Sequence, residues 1–479
     1  MRIKTNPYRS IMRITGLLAS VGLISGLLAA LDGATVEAQV QPTQRGSATG
    51  SSATAAPAGS PINAAPSDSD PIARLQARMD AGKVKLPFDS AHGYLVGLLQ
   101  ALRIPQTSQS LVFSRTSLQT DLIAPWSPRA LYFNDDVYIG FVSGSAFLEV
   151  AAVSPTKGAV FYTLDQDTTK APEFKHETTS CLMCHRSPAA TGGVAGFTML
   201  STVADVDGYA IASVHTGATT DMTPLSKRYG GWYVTGKVGS AVHSGNVRSD
   251  QKYGDIADKE EYRKSFDLTT DSNRMDLQDK ITISRYLQHS SDIVALSVLV
   301  HQTSVHNLIT ILHDATVGAL KEDAVIRAYL REQDQKPLEE TNARMRVAVD
   351  RLVRAMLFVD EAPLPGPMTG SSTFAKDFVA EGPFDAKGRS LRDFDLQHHL
   401  FKYPLSFLIY SEAFGSLPRE ARDAVYRRLN VVLHGQASNT DYNARLSPAD
   451  RQAILEILTA TKPEFAATAQ WSQQASPKN

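Results

Sequence analysis

The sequence predicts an α+β fold, β-rich in its first half and mainly helical in its second, on three observations. Residues 130–164 alternate β-formers with short turn clusters. From about Met275 onward, apolar residues recur at helical spacing. Between these regions lies 178-TTSCLMCHRSP-188, which holds the only two cysteines of the 479 residues.

In chain order, residues 1–38 join a basic stretch (Arg2, Lys4, Arg9, Arg13) to the uncharged apolar run 14–31 and end in Val36-Glu37-Ala38. That is the pattern of a cleavable signal peptide, so a periplasmic or otherwise exported location is expected. An uncleaved run of this length can just span a bilayer, and membrane contact is expected only by that route. No later segment reads as apolar enough, since the best, 293–300, stops at His301. Residues 39–70, rich in Ala, Ser and Pro, read as a flexible linker. Forty-eight basic residues against 49 acidic ones give no electrostatic case for a nucleic-acid partner.

The β-rich region is expected over 71–270. It opens with helical pattern, in which Ser90 is the expected cap of a short helix through Leu95, Leu98, Leu99 and Leu102. ALYF-NDD-VYIGFV, AFLEVAAV and AVFYTL then read as an antiparallel meander. TMLSTVADV-DG-YAIASVHT reads as a second hairpin turning at Asp-Gly. The helical region is expected over 271–465. DIVALSVLVHQTSVHNLITILHD and ARMRVAVDRLVRAMLFV are its clearest helices, with others at PREARDAVYRRLNVVLHG and at SPADRQAILEILTA, where Ser447 and Pro448 form the start signal. Residues 466–479 are expected to be a disordered tail.

The cysteine segment carries the chemistry. Covalent haem attachment needs two thiols to add across two vinyl groups and an imidazole beside them for the iron. Cys181-Leu182-Met183-Cys184-His185 has that composition and spacing. One covalent haem c is therefore expected, with thioethers at Cys181 and Cys184 and His185 as axial ligand. A zinc site would need further ligands, typically a second Cys-x-x-Cys pair, which the chain lacks. A redox dithiol would stand at a helix start after a strand, whereas here a Lys-His-Glu-Thr-Thr-Ser loop precedes it.

This box resembles the haem-binding box of c-type cytochromes. RALYFNDDVYIGFV, GGWYVTGKVG, SDIVALSVLVHQTSVHN and SLRDFDLQHHLFKYPLSFLIYSEAF extend the resemblance to large single-haem c-type cytochromes of bacteria, over most of residues 75–460. The resemblance implies electron transfer with a redox partner protein. The chain departs from the small helical cytochromes, since strand patterns precede the box and a hairpin pattern follows it.

The second axial position decides between an electron carrier and a haem enzyme of peroxidase or oxidase type with open iron. Met222, in a loop stiffened by Pro224, is the candidate distal ligand; His215 and His243 are the other candidates. A dithiol–disulfide oxidoreductase using Cys181 and Cys184 is the remaining alternative. His176, Arg186, Arg228 and Lys237 are candidate propionate partners, and Trp232 and Tyr233 candidate pocket walls. Gln302, His306 and His313 share a polar helix face suited to acid–base work, while His301 falls on an apolar face. His398 and His399 read as structural.

Overall fold

The computed structural model describes residues 70–211, 216–269, 271–331, 339–438 and 440–474. The expected signal peptide and all but the last residue of the expected linker lie outside them.

The meander forms as predicted, and gains a short strand at each edge. Strands β1 (Ser110–Val112), β2 (Arg129–Phe133), β3 (Val137–Phe141), β4 (Phe147–Ser154), β5 (Gly158–Asp165) and β6 (Phe174–His176) make one antiparallel sheet in sequential order. The β2–β3 turn is set by Asn134, whose Oδ1 accepts from the amides of Asp136 (3.1 Å) and Val137 (2.9 Å). At the β4–β5 turn Gly158 takes φ 73°, and a Cβ there would lie 2.4 Å from the Ala195 carbonyl oxygen.

Because side chains alternate across a strand, this sheet serves two cores. One face presents Tyr132, Ile139, Leu148, Val150 and Ala152 to helices α1 (Pro71–Asp80) and α2 (Leu95–Leu102). The other presents Phe133, Tyr138, Val153, Ala159 and Phe161 to the helical half of the chain. Each fully buried Val, Leu or Phe here contributes roughly 1.5–3 kcal/mol relative to exposure. The described residues accordingly belong to one compact unit.

Local readings need correction. Helix α2 starts after Tyr94 with no side-chain cap; Asp89, not Ser90, makes the turn before it, accepting from the amides of Ala91 and His92. The second hairpin is reduced to β7 (Leu200–Thr202) paired with β8 (Thr216–Ala218) and one Ala204–Ala210 bridge. After the short turn α3 (Leu182–His185), the first long helix is α4 (Ile293–Leu330), so helix begins well after Met275. At 38 residues it spans about 57 Å. By length and composition it could cross a membrane, contrary to the reading that stopped at His301, yet its apolar stretch is mostly buried in protein.

Helix α4 is capped by fully buried Asp292, which accepts from Val294 N and, through Oδ2, from the amides of Ser371 and Ser372. Against it pack α5 (Glu339–Met356), α6 (Phe374–Ala380) and α7 (Arg419–Leu433), while α8 (Pro448–Thr461) and α9 (Pro463–Gln474) pack on α7 and on each other. Ser447 and Asp450 close the expected capping box on α8. Helix α9 runs on through residues 466–474 of the expected disordered tail, and Phe465, just before them, is buried against Tyr426.

Candidate functional site

The Cys-x-x-Cys-His segment forms a single helical turn lying against the inner face of the sheet. The amides of Cys184 (3.2 Å) and His185 (3.0 Å) both return to the Cys181 carbonyl, which puts the two thiols one turn apart. Both cysteines are free thiols, Cys181 half-buried and Cys184 exposed. Leu182 packs into the core beneath, while Met183 points outward at 76% exposure.

His185 is fixed from two sides. Its ring lies 4.7 Å from that of Phe161 on β5. Its Nδ1 lies 3.0 Å from the carbonyl oxygen of Gly196, and its own carbonyl accepts from the Gly196 amide at 2.8 Å. A carbonyl can only accept, so Nδ1 carries the proton and the lone pair belongs to Nε2. Among the described residues Nε2 has no hydrogen-bond partner. Burial, with a smaller contribution from Arg129, holds the imidazole below its usual pKa against the opposing pull of Gly196 and Glu149. The ring is therefore neutral near pH 7, as a metal ligand must be.

The carbonyl that orients His185 is itself held in place. Asn307 of α4 accepts from Phe197 N through Oδ1 and donates to Phe197 O through Nδ2, both at 2.8 Å. In a trans peptide N–H and C=O point in opposite directions, so gripping the Phe197 amide aims the Gly196 carbonyl away from Asn307, toward the histidine. Only glycine fits, since a Cβ at 196 would lie 2.3 Å from Asn307 Oδ1. Nothing in the sequence pointed to Asn307, because 110 residues separate it from its partner.

Beside the turn, the sheet contributes a part-buried ion pair between Arg129 and Glu149, whose second carboxylate oxygen, Oε1, is buried with no hydrogen-bond partner among the described residues. Burial, together with Glu177 and Glu149, pushes the Cys181 thiol up to about 11. Redox dithiols need the opposite, an electropositive setting that lowers the thiol pKa. Among the described residues no three His, Cys, Asp or Glu side chains converge as a metal cluster. Thioether anchoring requires none. Two free thiols on one turn, followed by an imidazole whose Nε2 lone pair is free, are the donor set a covalently held haem uses.

The other candidates separate into distinct groups. Met222 is 64% exposed in a firmly held loop. The Asp221 carbonyl accepts from Ala362 N and Arg228 Nη2, and its carboxylate pairs with His301. No hydrogen bond or ring contact among the described residues joins this loop to the Cys181–His185 turn. His215 lies outside the described residues. His243 is buried against Tyr229, and burial pushes it down to about 4. His176 stacks on Tyr162, on the sheet face opposite Phe161 and His185. Arg228 is buried and hydrogen-bonded to the loop carbonyls of Asp221 and Thr223; Arg186 and Lys237 are exposed. Trp232 and Tyr233 are buried and donate to the Leu200 and Pro125 carbonyls.

The polar face of α4 is internal. Gln302 donates to Asn134 O and Tyr138 OH, and His306 Nε2 bonds Asp135 O, while His313 pairs with neighbouring Asp314. His399 pairs with Glu361 from a non-helical segment.

His301 holds the arrangement that periodicity concealed. Its Nδ1 is 2.7 Å from Asp221 Oδ2 and its Nε2 is 2.8 Å from Ser406 Oγ, the connectivity of a serine–histidine–aspartate triad. Yet His301 and Ser406 are both 0% exposed, Phe358 stacks on the imidazole at 4.3 Å, and Ser406 Oγ also caps a short 3-10 turn at Leu408 N. A nucleophile sealed in this way meets no substrate. The triad is a brace joining the 221 loop, α4 and the 406 turn.

No family model, curated protein or solved structure matches this chain.

Proposed function

We propose that this protein is an exported monohaem c-type cytochrome that carries single electrons to or from a redox partner protein. One observation carries the reading: a Cys-x-x-Cys-His turn in which the Gly196 carbonyl accepts a hydrogen bond from His185 Nδ1–H and leaves Nε2 for iron. Bound there, the haem supplies a one-electron ferric/ferrous couple. Cys181 and Cys184 would hold the haem as thioethers, each adding S–H across one vinyl group with nothing leaving. His185 Nε2 would offer its lone pair to the iron, and the Nδ1–H···O bond would raise its basicity. Glu149 would favour the more positive, oxidised state, and its ion pair with Arg129 would temper that effect. Met222 is the proposed distal ligand, supported by an exposed thioether on a backbone fixed through Asp221 and Arg228.

The test is maturation of the full chain in a host with haem-attachment machinery, followed by mass and absorption measurement. One added porphyrin mass on the peptide spanning 181–185, lost in the Cys181→Ala/Cys184→Ala variant, is the expected result; colourless protein with a reducible disulfide overturns the reading. Low-spin bands unchanged by cyanide support the carrier, and a high-spin spectrum that shifts replaces it with the open-iron enzyme. For Met222→Ala the expected change is from low-spin to high-spin iron, and an unchanged spectrum removes that ligand.

A further inference from the structure

Apart from the cysteine turn, a cavity of about 250 Å³ opens where the β2–β3 turn, the C-terminal end of α2, helix α6 and the flank of α4 meet. Its apolar lining includes the rings of Phe133, Phe374 and Phe378, which contact one another in sequence at centroid distances of 5.8 and 5.7 Å. We propose that this cavity binds a small organic ammonium compound, in which a protonated amine is attached to a flat apolar body.

The argument rests on which acids in the wall are already occupied. Asp135 is engaged by Arg392, whose guanidinium also donates to Gly382 O and lies 4.6 Å from the rings of both Phe378 and Phe407. Asp377 accepts from the hydroxyls of Thr107 and Thr373. Asp136 differs from both. Its backbone is held by Asn134 Oδ1 and Val153 N, yet neither carboxyl oxygen has a partner among the described residues, and Oδ1 is buried.

The carboxylate of Glu381, at the same cavity, likewise has no ion pair or hydrogen bond among the described residues, and Gln302 bonds there through its amide nitrogen, leaving its carbonyl oxygen as an acceptor. A carboxyl group placed beside a cavity with no donor on either oxygen carries a desolvation cost that a cationic donor would offset. Asp136 thus lacks a hydrogen-bond donor of positive charge, since Arg392 is occupied by Asp135 and Gly382, and the aromatic rings of the wall suit a cation attached to a flat body. The volume lies just below the range usual for drug-sized ligands, which limits the occupant to one ring or a short chain. Arg103 also lines the cavity, from the exposed C-cap of α2, and makes an organic carboxylate the rival occupant.

Titration calorimetry at pH 8 on the full chain, with benzylammonium chloride as probe and benzyl alcohol and sodium benzoate as controls, decides the matter. Saturable 1:1 binding of benzylammonium is expected. Asp136→Asn should weaken it about tenfold or more, the loss of one charge-assisted bond. Glu381→Gln, an exposed change that leaves the fold intact, should weaken it by a smaller factor. Benzyl alcohol should bind at least about tenfold more weakly than benzylammonium. No saturable heat with folded wild-type protein overturns the proposal, as does equal binding by Asp136→Asn or tighter binding of benzoate. The outcome is independent of haem, because no residue used here touches the Cys181–His185 turn.

Discussion

His185 and His301 are both held through Nδ1, and they differ in what remains. His185 gives Nδ1 to a backbone carbonyl and keeps Nε2 free at the margin of the sheet. His301 gives Nδ1 to Asp221 and Nε2 to Ser406, and is sealed under Phe358. A saturated imidazole serves stability; one held on a single side keeps a lone pair for a ligand. The same distinction separates Asp135, matched by Arg392, from Asp136, matched by nothing among the described residues. Motif connectivity alone would rank the Ser406–His301–Asp221 set as the catalytic one. Exposure reverses that order.

The largest expected effect tests the brace. His301→Ala should cost about 3–5 kcal/mol, since it strands the part-buried Asp221 carboxylate and the buried Ser406 hydroxyl and opens a cavity, read from the urea midpoint. His185→Ala in haem-free protein should cost about 1 kcal/mol or less, the loss of one hydrogen bond at a half-buried site. Equal losses from the two substitutions would break the comparison.

Asn307→Ala should come next. It leaves the Phe197 amide unpartnered at a cost of about 1–3 kcal/mol. It should also release the Gly196 carbonyl, so that matured protein shows a mixed-spin spectrum. A simple loss of stability with unchanged bands would reduce Asn307 to a packing residue.

Asp136 adds a pH-dependent case. Burial, reinforced by Asp135 and Glu412 against Arg74 and Arg392, raises its carboxyl from 3.8 to about 7. Its folded-state pKa exceeds its unfolded value, so the folded chain binds more protons between those limits. Stability from this group is complete below pH 4 and is lost as pH rises through 7. Asp136→Asn should therefore be near neutral at pH 4 and raise stability by about 1–3 kcal/mol at pH 8, checked by melting curves at both. A benefit of equal size at both pH values would remove the titration account.

The smallest effect belongs to Glu149→Gln. Removing a carboxylate near His185, the proposed iron ligand, should raise the midpoint potential of matured protein by tens of millivolts, the scale of a screened charge several ångströms away. A lowered potential would reverse the assigned role.

The central meander was legible from the sequence because strict alternation, turn residues and length agree over 130–164. Strands β1 and β6 were not, because three residues show no period. At α2, adjacent Asp89 and Ser90 both suit a cap, and only geometry separates them. The spacing of the cysteine box was legible as a local word, but that it opens a helical turn shortly after β6 was not: a loop was expected before it and no helix start. Its orienting shell was not legible either, since Asn307, Phe161 and Arg129 reach it from distant parts of the chain. His301 was legible as a residue of the apolar face, where it packs on Phe358, Phe401 and Phe407; its two polar partners were not, because they come from loops at 221 and 406.

One sheet with a core on each side also constrains the order of assembly. The peptide that aims His185 is held from residue 307, so a chain emerging N-terminus first exposes both thiols well before their final clamp exists. Covalent chemistry at the pair can therefore occur while the segment is still accessible, and closure of the C-terminal half then sets the ring. A fragment ending near residue 270 would retain every atom of the Cys181–His185 turn and lose the part that orients it.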